Sequence, residues 1–314
     1  MLLVFHAKTS GLGNRLRALA GYQALAQLRN VPFALCWEPT PACGALFQDL
    51  FVPSGIALLS RSQLKRCRND NSVQVYSAPD WFTYIFKKHA PASAENEFLQ
   101  ASVLNLRALR PTDKIRERLD RFTNACDLGS CLGLHVRLTD NVRSYEGFKK
   151  FPYFDIAAVS QEEGFHYLVT RAFGNGSVDG LFLATDSLDF ERRFRNKSSV
   201  PVHTFPKHWR SGAGWLRWLL SPRLMLKYLL RERIVRASPI EEAVIEMFLL
   251  AKCKILGGTY FSSFSKIAAL LGEADYYEIC GQEPRRCRLV QHIRQAMTAR
   301  ESGAGERQCS SEVL

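Results

Sequence analysis

Short apolar runs recur along the chain, and between them lie longer stretches whose apolar residues return at intervals of three and four. The runs at residues 2–6, 33–37, 73–76, 132–137, 181–185, 200–205 and 253–256 predict strands. The longer stretches at 14–29, 112–124, 154–173, 239–251 and 265–271 predict helices, the last stopped by a C-cap at Gly272. Strands alternating with helices predict an α/β fold with parallel sheets. No repeat or low-complexity segment interrupts the pattern. The turn-rich segment "NACDLGSC", residues 124–131, predicts a boundary between an N-terminal α/β domain, 1–125, and a C-terminal one, 126–314, facing each other across a cleft.

Ligands of open parallel sheets bind beyond the carboxyl ends of the strands, so the residues there carry the candidate chemistry. The first predicted strand leads into "TSGLGN", the fourth into "RLTDN", the fifth into "TDS" and the last into "GGTYFSSFS". Gly11 and Gly13 permit positive φ and close approach to a ligand, and a helix starting near Asn14 directs free amides at an anion. A plain βα turn explains the same residues, since the third glycine of a dinucleotide fingerprint and the lysine of a P-loop are both missing. Arg15 is expected to reach the cleft and Arg17 to be a solvated helix charge.

In "GLHVRLTDN", strand alternation sends His135 and Arg137 to one side. Arg137 offers a planar fork suited to two phosphate oxygens and needs an anion to offset its desolvation. His135 is either a base-contacting group or a satisfied core histidine, and Asp140 a partner of Arg137 or a cap. Asp186 either caps a helix beginning near Leu188, or holds sugar hydroxyls or orients Arg137, and with Arg137 it is a candidate catalytic residue, as a general base. Ser262 and Ser263 precede a helix and form a second anion-binding turn; Ser265 is expected to be its N-cap.

Composition narrows the partners. The 314 residues carry 42 Lys and Arg against 30 Asp and Glu, a formal net charge of +12, which favours an anionic ligand or surface. No apolar run approaches the roughly 18 residues of a membrane span, and "MLLVFHAK" is too short for a signal peptide; a cytoplasmic location is expected. Nine cysteines without a C-x-x-C pair are expected to be reduced. There is no D-x-D, G-x-S-x-G or H-E-x-x-H, which argues against a metal-clamped sugar transferase, a serine hydrolase and a zinc peptidase. Residues 215–235 place Arg223, Lys227 and Arg231 in a basic stripe beside apolar residues, suited to an anionic membrane face or to docking on the protein itself.

The segments "GLGNRL", "HVRLTDN", "LATDS" and "TYFSSF" together resemble, in order and position, the motifs of the GT-B fucosyltransferase superfamily, in particular the bacterial nodulation and core alpha-1,6-fucosyltransferases and more distantly the protein O-fucosyltransferases. The resemblance runs from residue 1 to about 280. It implies two Rossmann-like domains facing a cleft, and inverting transfer of fucose from GDP-fucose to a glycan or glycolipid hydroxyl without a metal. Arg137 then contacts the β-phosphate, His135 lies beside guanine, Asp186 is the motif's acidic residue, Ser262 or Ser263 is near the pyrophosphate, and Glu246 reads guanine. Asn14 faces the cleft from the first loop, with Gly11, Gly13 and Arg15 on the acceptor side. Leu138 replaces the second arginine of the core alpha-1,6 members. A bacterial-type cytoplasmic enzyme is the better analogue. The alternatives are a transferase for another nucleotide sugar, or a non-catalytic basic protein that binds nucleic acid or membrane.

Overall fold

The computed structural model describes residues 1–40, 42–137, 160–209 and 238–306. Leu138, Asp140, the predicted helix's residues 154–159 and the basic segment 215–235 lie outside the described residues. The first half comprises β1 (Leu2–Ala7), α1 (Leu12–Leu28), β2 (Phe33–Trp37), α2 (Phe47–Leu50), β3 (Phe51–Val52), β4 (Ala57–Leu58), α3 (Arg61–Cys67), β5 (Val73–Tyr76), α4 (Phe82–His89), α5 (Glu95–Arg107), β6 (Arg110–Pro111) and α6 (Asp113–Ala125). The second comprises β7 (Cys131–Val136), α7 (Glu162–Gly174), β8 (Gly180–Thr185), α8 (Leu188–Lys197), β9 (Val202–His203), α9 (Ile240–Leu250), β10 (Ile255–Thr259), α10 (Ser263–Leu271), β11 (Asp275–Cys280), β12 (Glu283–Arg286) and α11 (Arg288–Glu306). The α/β class expected from the alternation is what the chain adopts.

The first sheet has the order β4-β2-β1-β5 and is parallel throughout. The second has the order β12-β11-β10-β7-β8-β9, parallel except for the β11–β12 hairpin. Its strand order reverses between β7 and β10, which makes the gap beyond their carboxyl ends a topological switch point. The corresponding reversal in the first sheet falls between β1 and β5.

Central strands buried on both faces read as continuous apolar runs, which is why β7 (CLGLHV) and β8 (GLFLAT) were legible, every residue of each being buried. Helix α1 is buried on nearly all sides, and its low polarity reflects that. One apolar cluster runs without interruption from Leu3 and Phe5, through α1 and α5, to Val244, Ile267 and Ile293 in the second half. Separate clusters back the far face of each sheet, one around Val4, Ala34, Cys36 and Leu64, the other around Leu134, Phe165 and Phe190.

The C-terminal helix α11 crosses back onto α5 of the first half. Arg107 of α5 donates to Leu270 O at 3.0 Å, and His292 approaches Glu95 at 3.3 Å, so polar contacts reinforce the apolar seam. Gly272 is the C-cap of α10, as expected, but its φ of −107° is not left-handed. Its need is space: a Cβ there would lie 1.9 Å from Ala251 O at the end of α9.

Candidate functional site

The carboxyl ends of β7 and β10 are stitched together by one hydroxyl. Thr259 Oγ1 accepts from the Arg137 amide at 2.9 Å and donates to His135 O at 3.2 Å. His135 is 8 % exposed and stacks on Phe264, the ring centroids 4.6 Å apart, while its Nδ1 lies 3.4 Å from Ser262 Oγ. The H-x-R segment and the serine loop thus meet at the switch point of the second sheet. Arg137 is half-buried there.

The loop that follows β10 is held in an uncommon backbone. Phe261 has φ of 60°, in the left-handed region that a bulky residue rarely occupies, and is 44 % exposed. Ser262 is the N-cap of α10, without a side-chain cap bond, and Ser263 is buried in the first turn. Ser265, expected to be the cap, instead sits inside the helix with Oγ bonded to Tyr276 at 3.0 Å and to Ser262 O at 3.4 Å. Burial pushes the Tyr276 phenol well above its ordinary value, so it meets Ser265 as a neutral hydroxyl.

Asp186 follows β8 and is half-buried. The cap of α8 is Ser187, whose Oγ accepts from Phe190 N at 3.2 Å, so the capping role considered for Asp186 belongs to its neighbour. Glu246 on α9 is buried and paired with Lys207 at 2.8 Å. The Lys207 ammonium is fully buried; it also donates to Thr185 O at 2.7 Å and lies 3.3 Å from Glu191. One lysine therefore joins the residue before Asp186 to Glu246. It was missed in the sequence because "FPKHW" carries neither periodicity nor a motif. A cavity of about 510 Å³ beside it is lined by Glu191, Arg195, His203, Thr204, Lys207 and Trp209, none of them a residue selected from sequence.

Across from the serine loop stands the first turn of α1. A Cβ on Gly13 would lie 2.9 Å from Phe264 N, so this glycine lets the two halves touch backbone to backbone. Positive φ was expected of Gly11 and Gly13; it occurs at neither, and Ser10 carries it instead, at 71°. Gly11 is the N-cap at φ −81°, where an added Cβ would meet Ala42 O only at 3.9 Å. Asn14 is half-buried on the same turn.

Arg15 does not reach the cleft. It is 0 % exposed, and its guanidinium donates to Ser10 O at 3.0 Å, Glu38 O at 2.7 Å and Thr40 Oγ1 at 2.8 Å, over the Trp37 ring at 4.9 Å. Its donors fasten the β1–α1 loop to the end of β2, work that a buried cation can do only when so surrounded. Arg17 is not a solvated helix charge either: it donates twice to Pro79 O, at 3.0 and 2.6 Å, and covers Trp81 at 4.5 Å. Burial pulls its pKa down to about 10. Lys266 of α10, paired with Glu278 at 2.7 Å, lies 5.6 Å from that Trp81 ring, so cations from both halves converge on one indole.

No family model matches the sequence, and comparison with curated proteins finds no match. Solved structures share its fold. Fucosyltransferase NodZ from Bradyrhizobium matches with a TM-score of 0.50 at 18% identity, over 88% of this chain and 95% of that one. A mutant of Arabidopsis thaliana FUT1 in complex with GDP matches with a TM-score of 0.53 at 13% identity, over 90% and 74%. POFUT1 in complex with GDP matches with a TM-score of 0.52 at 11% identity, over 88% and 98%. The chain is therefore similar in fold to the GT-B fucosyltransferases that its strand-end segments resemble. Among the described residues no helix is long and apolar enough to cross a membrane.

Proposed function

We propose that the protein is a glycosyltransferase that moves fucose from GDP-fucose to a hydroxyl of a glycan or glycolipid, with inversion at the anomeric carbon. The observation that carries this reading is the junction of the H-x-R strand end with the serine loop at the sheet's switch point, through Thr259 and Ser262, in a fold shared with fucosyltransferases solved with GDP or GDP-fucose.

In this reading the acceptor oxygen attacks C1 from the face opposite the diphosphate. The C1–O bond breaks with its electron pair going to the β-phosphate, and the acceptor proton leaves to a base. Charge grows on the departing diphosphate, and the Arg137 guanidinium is placed in the role of neutralising it, aided by the amides at the start of α10. The absence of D-x-D from the sequence supports arginine rather than a metal in that role. Ser262 and Ser263 line the pyrophosphate, His135 and Glu246 the guanine, and Asp186 the sugar or the orientation of Arg137. Gly11, Gly13 and Asn14 form the opposing wall in the acceptor-side half, residues 1–125, across from the donor half, 126–314. The net charge of +12 suits a cytoplasmic enzyme working beside an anionic membrane, with residues 215–235 as the contact.

A thermal-shift panel of GDP, UDP and ADP tests the donor. Stabilisation by GDP alone is expected; stabilisation by UDP alone would overturn the fucose reading in favour of another nucleotide sugar. Arg137→Ala is expected to remove more than about 99% of transfer, on the order of the 10²–10³-fold effect of losing one transition-state donor, with the melting temperature unchanged. Unchanged transfer would mean that this guanidinium is not part of the chemistry.

A further inference from the structure

Residues 205–209, "FPKHW", leave β9 at the carboxyl edge of the second sheet, the edge that also carries the ends of β7, β8 and β10. The segment is fastened to two helices. The Phe205 ring is buried against Phe122 of α6, with centroids 5.7 Å apart. The His208 amide donates to Glu242 of α9 at 3.0 Å, and the Lys207 ammonium donates to Glu246, one turn further along the same helix, at 2.8 Å. Glu242 and Glu246 are both buried and, four residues apart, share one helix face.

Stability alone does not call for a lysine at this place. Its side chain is 0 % exposed, taking an ammonium out of water is costly, and a buried ion group replaced whole by apolar residues is often as stable or more so. What the ammonium supplies, and an apolar group cannot, is direction. It donates to Glu246 Oε1 at 2.8 Å and to Thr185 O at 2.7 Å, and lies 3.3 Å from Glu191 Oε2. A glutamate side chain has several torsions to settle on folding. A donor that is itself held at two other points settles the plane of the Glu246 carboxylate. Thr185 is the last residue of β8, so the same grip holds the backbone from which Asp186 departs.

We propose that Lys207 is a positioning residue for recognition of the donor's base: it sets the Glu246 carboxylate so that both oxygens accept from one edge of a purine bearing adjacent N–H and amino donors. The inference rests on the donor reading, in which Glu246 faces guanine. A carboxylate offers about four lone-pair sites on its two oxygens, so Oε1 accepts from Lys207 and from the base together. The N1–H and 2-amino groups of guanine lie side by side and match that pair of oxygens only when its plane is fixed; bidentate pairing of this kind carries geometric specificity as well as strength. Hypoxanthine keeps the N1–H and lacks the amino group, so it reports on the carboxylate's orientation and leaves the rest of the ligand unchanged. Lys207 itself touches no ligand in this arrangement.

Calorimetric titration of the full chain with GDP and with inosine diphosphate tests it. The wild type is expected to bind GDP about tenfold or more tighter than inosine diphosphate, the effect of one charge-assisted hydrogen bond. Lys207→Met is expected to bring the two affinities within about threefold of each other. A lysine that only held the fold together would leave the ratio alone, because a loss of folded protein lowers both apparent affinities by the same factor. Lys207→Arg serves where the methionine variant does not fold: it keeps the buried charge, but its planar fork cannot bring one donor to three oxygens, so the ratio is expected to fall there too. A wild-type ratio in the folded variant, alongside a ratio lost in Glu246→Gln, overturns the inference and leaves the donor reading in place. A ratio unchanged in Glu246→Gln as well, equal affinities in the wild type, or a wild type that prefers UDP overturns the reading on which the inference rests.

Discussion

Gly13 and Gly11 stand two residues apart and are predicted to respond differently to the same substitution. A helical glycine replaced by alanine gains up to about 1 kcal/mol of helix propensity. At Gly13 the new methyl meets the Phe264 backbone, which does not yield as a side chain end would. Overpacking of that kind costs about 1–3 kcal/mol, so Gly13→Ala is expected to destabilise in urea titration and to weaken GDP stabilisation by parting the two loops. Gly11→Ala, with only a 3.9 Å contact in its way, is expected to change stability by less than about 0.5 kcal/mol. The identity of residue 13 as a glycine was legible; its reason was not, because the atom it makes room for is some 250 residues away in the chain.

At the scale of elements, Lys207 is the joint between β8, α8 and α9. Lys207→Met takes the buried Lys207 ammonium away from the carboxylates of Glu191 and Glu246. Removing one partner of a buried ion group costs about 3–5 kcal/mol, far more than an exposed pair is worth. The variant is expected to lose that much in chemical denaturation, and a loss below about 1 kcal/mol would mean that the carboxylates are solvated. The elements themselves were read from periodicity where they were long and one-faced: α1, α6, α9 and the central strands fall within a few residues of their predicted bounds. The sequence reading passed over α3, α4, α5 and α11, and β9 shrank to Val202–His203. The polar tail of α11 obscures the apolar face of Val290, Ile293 and Ala296, which only its partner α5 makes useful.

For the whole molecule, two consequences follow from a core that runs through both halves. Ending the chain at Cys287 removes α11 and uncovers α5; with each of Val290 and Ile293 worth about 1.5–3 kcal/mol of burial, the shortened chain is expected to melt several degrees lower, although both sheets are complete without it. The second consequence concerns alkaline pH. Burial raises the thiols of Cys36 to about 11 and of Cys131 and Cys287 to about 12, from 9.0, and pushes that of Cys253 up as well. A thiol raised in the folded state keeps its proton there while the unfolded chain loses it, so the unfolded state binds fewer protons and stability declines with pH. The contribution is whole below pH 9.0 and is lost as pH rises through about 11 to 12. The urea midpoint is expected to hold up to pH 9.0 and fall beyond it; a flat profile across that window would place the thiols in contact with water.

By itself the sequence determined the alternation of strands and helices and the segments that stand at the strand ends, because both are local: apolar runs and turn residues act over a few positions. It also carried the resemblance, since "HVR", "ATD" and "FSS" are short and ordered. Tertiary structure alone decided that β7 and β10 are neighbours, so that Thr259 bridges His135 and Arg137, and that Arg15 is enclosed by Ser10, Glu38 and Thr40 instead of facing a cleft. It alone brought Lys207 to Glu246 and His6 to Cys36. The physical reason is common to these cases: what a buried polar side chain does depends on which acceptors and charges surround it, and strand order, which no local pattern encodes, chooses that company.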